Sequence, residues 1–160
     1  RNADVPIIVQ RSIVNGLFGE GMGVRPDKPW EGVDYFSQSS DFNIDLAPIL
    51  GRYVQTPKLN EIACLCGIPG KVDTDGGSVS GLWLQGDLQS IVNYNEFDAV
   101  TTHLLWARVA HFGGLLGDEA YEREQALVRE LIDSEIARGK SHFKRYLDEW
   151  DRLQSITSTR

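Results

Sequence analysis

The chain has 160 residues, 41% apolar and 24% charged, with a net charge of −7. This is globular composition with enough chain for one compact domain, and it excludes disorder. No apolar run approaches the ~20 residues of a membrane span, and an acidic chain is poorly suited to coat nucleic acid through phosphate contacts alone.

Residues 3–19, ADVPIIVQRSIVNGLFG, read as a helix. Asp4 suits its cap and Pro6 its first turn. Ile7, Ile8, Ile13 and Val14 mark an apolar side, and Gly16 and Gly19 bracket the stop. Residues 20–40 are rich in Gly and Pro and form a long loop, made basic and aromatic by Arg25, Lys28 and Trp30. In residues 41–53 the alternation of Phe42, Ile44 and Leu46 predicts a short strand, followed by a helical turn at 46–51.

Residues 56–71 predict a helix capped by Thr56, with Pro57 at its first position. Leu59, Ile62, Ala63 and Cys66 form its inner stripe, and Gly67 and Pro69 stop it. Residues 72–86 form a turn-rich connector. A long helix follows from Asp87 to Phe112, apolar at Leu88, Ile91, Val92, Leu104, Leu105, Val109 and Phe112. A helix over 118–138 is acidic early and basic late, as its dipole favours. The last helix, 141–153, turns Phe143, Tyr146, Leu147 and Trp150 inward, and the tail after it frays.

Cys64 and Cys66 point about 200° apart on a helix, so no bridge is expected between them. No second Cys/His cluster completes a zinc site. Reduced, half-buried thiols are expected, which suits a cytoplasmic location. His103 and His111 read as packed or surface side chains and His142 as a helix-start residue. GEGMG at 19–23 lacks the Lys-Ser/Thr of a phosphate loop, and no G-x-S-x-G elbow occurs. Asp73 and Asp75 lie in a solvated turn without the full calcium-loop pattern.

Tyr94 and Asp98 lie four residues apart, hence on one helical face. Asp is a weak helix former, and here it sits between Phe97 and Ala99-Val100. Such a carboxylate is either on the solvated edge of the helix, with Tyr94 packed beside it, or paired with a charge or metal.

A wider pattern surrounds this pair. Leu59, the Gly67-Ile68-Pro69 turn with Lys71, Asp75-Gly76 with Val79, Gly86, and Ile91 with Tyr94 and Asp98 follow in order. This series resembles the predicted 3′–5′ exonucleases related to the proofreading domain of family-B DNA polymerases, in the DEDD superfamily. NIDLAPIL at 43–50 resembles the family's I-D-L segment. Arg1, Asp4, Pro6 and Arg11 match its second exonuclease motif, with Ala3 in place of an aromatic residue. Asn95 and Ala99 stand where the family usually has Cys and Val. The likeness covers roughly residues 1–116.

The resemblance implies an α/β, ribonuclease-H-like fold, of which this chain is mostly the helical C-terminal part with few strands. It implies one exonuclease-like domain over 1–160, and two-metal hydrolysis of phosphodiester bonds from the 3′ end of single-stranded DNA or RNA. Mg²⁺ or Mn²⁺ is the implied cofactor, as a pair of ions about 4 Å apart. Asp98 and Asp4 are the implied metal ligands, and Tyr94 the residue that orients water. The first motif, D-x-E on an early strand, is absent from these residues and is expected upstream of Arg1 or from a partner chain. The rival expectation is a degenerate domain that binds nucleic acid or a replication partner without cutting. A plain helical interaction module is the third.

Overall fold

The computed structural model describes residues 4–19, 44–51, 55–70 and 76–157. They belong to two compact units, 1–56 and 57–160.

The first unit contributes α1 (Asp4–Val14) and α2 (Leu46–Gly51). Leu17 N donates to Ser12 O at 2.9 Å, and Gly16 takes φ +61°, so α1 closes through a left-handed residue. Ile7, Ile8, Ile13 and Val14, expected to form a buried side, are each more than half exposed. Asp45 caps α2 by accepting Ala47 N at 3.1 Å.

The second unit contains α3 (Leu59–Leu65), a 3-10 turn (Gly76–Ser78) running into α4 (Val79–Leu84), α5 (Leu88–Phe112), α6 (Asp118–Ala137) and α7 (Phe143–Thr157). α5 is the axis: α3, α4 and α6 pack against it, and α7 packs on α6. Each helix presents one stripe to a shared core. α5 supplies Phe97 and Leu104, α6 supplies Val128 and Ile132, and α7 supplies Phe143, Tyr146 and Trp150. Ala63 and Ile68 close the core from the α3 side. Tyr146 and Trp150 are fully buried. Burying a large side chain of this kind contributes roughly 2–3 kcal/mol, so the aromatic stripe of α7 is a main source of cohesion.

The α/β, ribonuclease-H-like expectation is corrected by this architecture. The described residues are 76% helical, and no strand or sheet occurs among them. Leu46, expected to end a strand, begins α2, and Ile44 precedes it in no regular element. An alternation of three apolar residues is a weak strand signal without partner strands. Apolar stripes at helical spacing pack the second unit helix on helix. Phe42 and the 20–40 loop, with Arg25, Lys28 and Trp30, lie outside the described residues, as do Lys71 and the turn bearing Asp73 and Asp75.

Element ends differ in instructive ways. α3 starts later than expected: its N-cap is Lys58, whose N–H donates to Glu61 Oε2 at 3.1 Å. The connector contains α4, a helix that Gly81 disguises by lowering local propensity. α7 continues through residues expected to fray. Thr157 there bonds Leu153 O at 3.1 Å, beneath the buried Gly67. α5 matches its expected span, capped by Asp87, which accepts from Ser90 N at 3.1 Å. Its buried face differs, because Leu88, Val92 and Phe112 are exposed while Phe97, Thr101 and Ala107 are buried.

Candidate active site

The site is built on the middle of α5. Tyr94 and Asp98 are both half-buried and share one face of that helix. Thr101, at 1% exposure, lies one turn beyond Asp98 and is hydrogen-bonded on both sides. Its Oγ1 donates to Pro69 O at 2.7 Å and accepts from the Tyr146 hydroxyl at 3.0 Å. This relay ties α5, α7 and the turn after α3 together immediately beside Asp98.

The same turn is fixed twice more. Arg108 donates to Cys66 O at 3.1 Å, and Ile68 N donates to Ala63 O at 3.0 Å. Gly67 has φ +72°, which a side chain resists. At Gly70 an added Cβ would run into Asn60, whose Cα lies 2.9 Å away. The Gly67–Gly70 segment is thus backbone seated directly on helix, which is why small and rigid residues occupy it.

The charge of Asp98 reaches Tyr146. Burial holds the Tyr146 phenol well above its ordinary value, and the nearby Asp98 carboxylate pushes the same way against the opposing Thr101 hydrogen bond. Among the described residues no cation pairs with Asp98. A half-buried carboxylate in that position is suited to a cation from outside the protein. Its hard oxygens suit Mg²⁺ or Mn²⁺, ions that keep several waters and take further ligands from substrate phosphates. Among the described residues, no three His, Cys, Asp or Glu side chains group closely enough to hold a metal alone. Asp98 and Tyr94 by themselves therefore do not make a metal site. Asp4 opens α1, and its side chain lies outside the described residues.

Other polar side chains have structural partners. His103 bonds Glu124 at 2.8 Å and His111 bonds Asp118 at 2.8 Å, both joining α5 to α6. Arg108 also lies over the Tyr121 ring, 5.2 Å from its centroid. Cys64 and Cys66 are free thiols, and burial raises that of Cys66, Arg108 partly opposing it. The sequence reading missed Glu96, which accepts from Lys140 and binds His142, each at 2.7 Å. Its partners lie more than forty positions away, so nothing local reveals them.

Residues 1–150 match the family described as predicted 3′-5′ exonucleases related to the exonuclease domain of PolB. The chain belongs to that family. No curated protein and no solved structure matches it. The exonuclease-family match extends through α6 and reaches Trp150 in α7, beyond the 1–116 expected from motifs. No helix among the described residues is long and apolar enough to cross a membrane.

Proposed function

We propose that this exonuclease-family chain hydrolyses phosphodiester bonds from the 3′ end of single-stranded DNA, or of RNA by the same chemistry. The carrying observation is Asp98, a half-buried carboxylate without a cationic partner among the described residues, one turn from Tyr94 within the matched region. Two divalent ions, Mg²⁺ or Mn²⁺, would neutralise the phosphate and acidify the attacking water. Asp98 is a metal ligand in this reading, and Asp4 is the second-motif carboxylate. Tyr94 holds and orients the water through its hydroxyl. Residues 1–160 act as one exonuclease-like domain.

The test is cleavage of 5′-labelled single strands of DNA and RNA against added Mg²⁺. Asp98→Asn and Asp98→Ala reduce cleavage to background while the circular dichroism spectrum is unchanged. Tyr94→Phe keeps metal binding and slows turnover about 10²-fold. Wild-type cleavage by either Asp98 variant refutes the assignment. Strand binding by the wild type without any Mg²⁺-dependent cleavage gives the function to the non-cutting binding module instead.

A further inference from the structure

Glu96 lies midway between Tyr94 and Asp98 in the chain, two residues from each, and so on the opposite side of α5 from the face they share. Both its oxygens are taken. Oε1 accepts from Lys140 Nζ and Oε2 bonds His142 Nε2, each at 2.7 Å. Lys140 also bonds Glu135 of α6 at 2.8 Å, and Arg138 bonds the same carboxylate at 2.7 Å. Lys140 first and Arg138 second hold Glu135 below the usual carboxylate range, and Glu135 and Glu96 together hold Lys140 above its own. The turn between α6 and α7 is thus fastened twice, to the end of α6 through Glu135 and to α5 through Glu96.

This fastening leads to Tyr94. The His142 ring lies 5.4 Å from Phe97 and 4.5 Å from Phe143. Phe97 stacks on Tyr146 at 5.5 Å, the phenol that closes the Thr101 relay. With Ser141 and Arg145, His142 also lines a cleft of about 470 Å³ that Tyr94 lines from α5. Glu96 is not in that lining, so it reaches Tyr94 only through the turn. The Glu96–His142 pair is 25% and 15% exposed, whereas the other pair between α5 and a neighbouring helix, His103–Glu124, is 43% and 32% exposed and lies outside the cleft. Exposed ion pairs contribute little stability. What a shielded one can supply is a fixed geometry for the side chains it supports.

We propose that Glu96 is a positioning residue: by holding His142 and the α6–α7 turn on α5, it confines the Tyr94 side chain on the face shared with Asp98. The consequence for rate rests on the proposed function; the consequence for Tyr94 itself does not. Glu96 touches neither water nor strand in this arrangement.

Two readouts on the full chain separate them. The first is ¹⁹F NMR of 3-fluorotyrosine-labelled protein in EDTA, with the Tyr94 resonance assigned from Tyr94→Phe. Glu96→Gln, which keeps the shape and removes the charge, shifts or broadens that resonance. His142→Gln does the same, and the double variant adds nothing further, because both act through one contact. Glu124→Gln, which breaks the His103 pair instead, leaves it unmoved. The second readout is Mg²⁺-dependent cleavage at a temperature where every variant is folded. Glu96→Gln lowers kcat about tenfold with KM unchanged, and Glu124→Gln cleaves as wild type. An unmoved Tyr94 resonance in Glu96→Gln, an equal shift in Glu124→Gln, or a wild-type kcat despite a moved resonance overturns the proposal. A moved resonance in a chain whose wild type never cleaves upholds the positioning of Tyr94 and refutes only the nuclease reading.

Discussion

Thr101→Val removes a hydroxyl and preserves shape, so it isolates the relay beneath the site. In the wild type, Thr101 Oγ1 donates to Pro69 O at 2.7 Å and accepts from Tyr146 at 3.0 Å. Both partners lose their bond in the variant, and Thr101 and Tyr146 are at 1% and 0% exposure, so water does not replace it. Each stranded buried group costs about 1–3 kcal/mol, and a methyl offsets part of this by burying apolar surface. The expected loss is therefore about 2–4 kcal/mol, a fall of roughly 4–16 °C in Tm at this chain length. Urea unfolding followed by circular dichroism measures it, with the m-value unchanged. A double-mutant cycle with Tyr146→Phe sharpens the test. Removing the phenol costs about 1 kcal/mol in the wild type but is neutral or stabilising in the Thr101→Val background, where the phenol is already stranded. Loss below about 0.5 kcal/mol for Thr101→Val, or strict additivity with Tyr146→Phe, refutes the relay.

Tyr146 also sets an alkaline limit. Its folded value is raised by burial first and by the Asp98 charge second, above the 10.0 of an unperturbed tyrosine. Its stabilising contribution is complete below about pH 10 and is lost as pH rises towards the folded value, because the unfolded chain ionises first. Asp98→Asn removes one raising cause, so its alkaline loss of stability levels off at a lower pH than in the wild type; levelling off at the same pH contradicts the proximity of the two groups. Gly70→Ala costs about 1–3 kcal/mol through overpacking against Asn60. Asn60→Ala does not rescue it, because the Asn60 Cα itself lies 2.9 Å from the added Cβ; full rescue refutes the close backbone approach.

The helices were legible where one periodic stripe coincided with one buried face. α7 is the clearest case, since Phe143, Tyr146 and Trp150 recur at helical spacing and all three are core. α5 was legible in span but not in orientation. Its apolar residues are spread round the helix rather than gathered on one face, so Leu88, Val92 and Phe112 carried the same signal as Leu104 while remaining exposed. α4 was hidden by Gly81, because local propensity records the cost of a glycine and not the packing of α4 on α5. The expected α/β fold came from family likeness rather than from strand periodicity, and the described residues supply helices in its place. At the site, the Tyr94–Asp98 spacing was readable directly. The relay through Thr101 was not, since Pro69 and Tyr146 lie 32 and 45 positions from it.

That relay explains how a weak helix former can be held at Asp98. An Asp in a lone helix competes with its own backbone for hydrogen bonds and loosens the turn around it. Here the following turn is fixed by Thr101 to Pro69, and two turns further Arg108 fixes α5 to Cys66. Tyr146 closes the relay from α7. The position of the carboxylate is thus enforced by neighbours that touch no substrate. A substitution in the Cys66–Gly70 turn should accordingly impair function by displacing Asp98, even when the overall helical content is retained. For Thr101→Ser, which keeps the hydroxyl, Mg²⁺-dependent cleavage should stay within about threefold of wild type, while Thr101→Val loses at least tenfold at a temperature where both remain folded. Equal activity of the two variants would separate the relay from the site and leave it a purely structural tie.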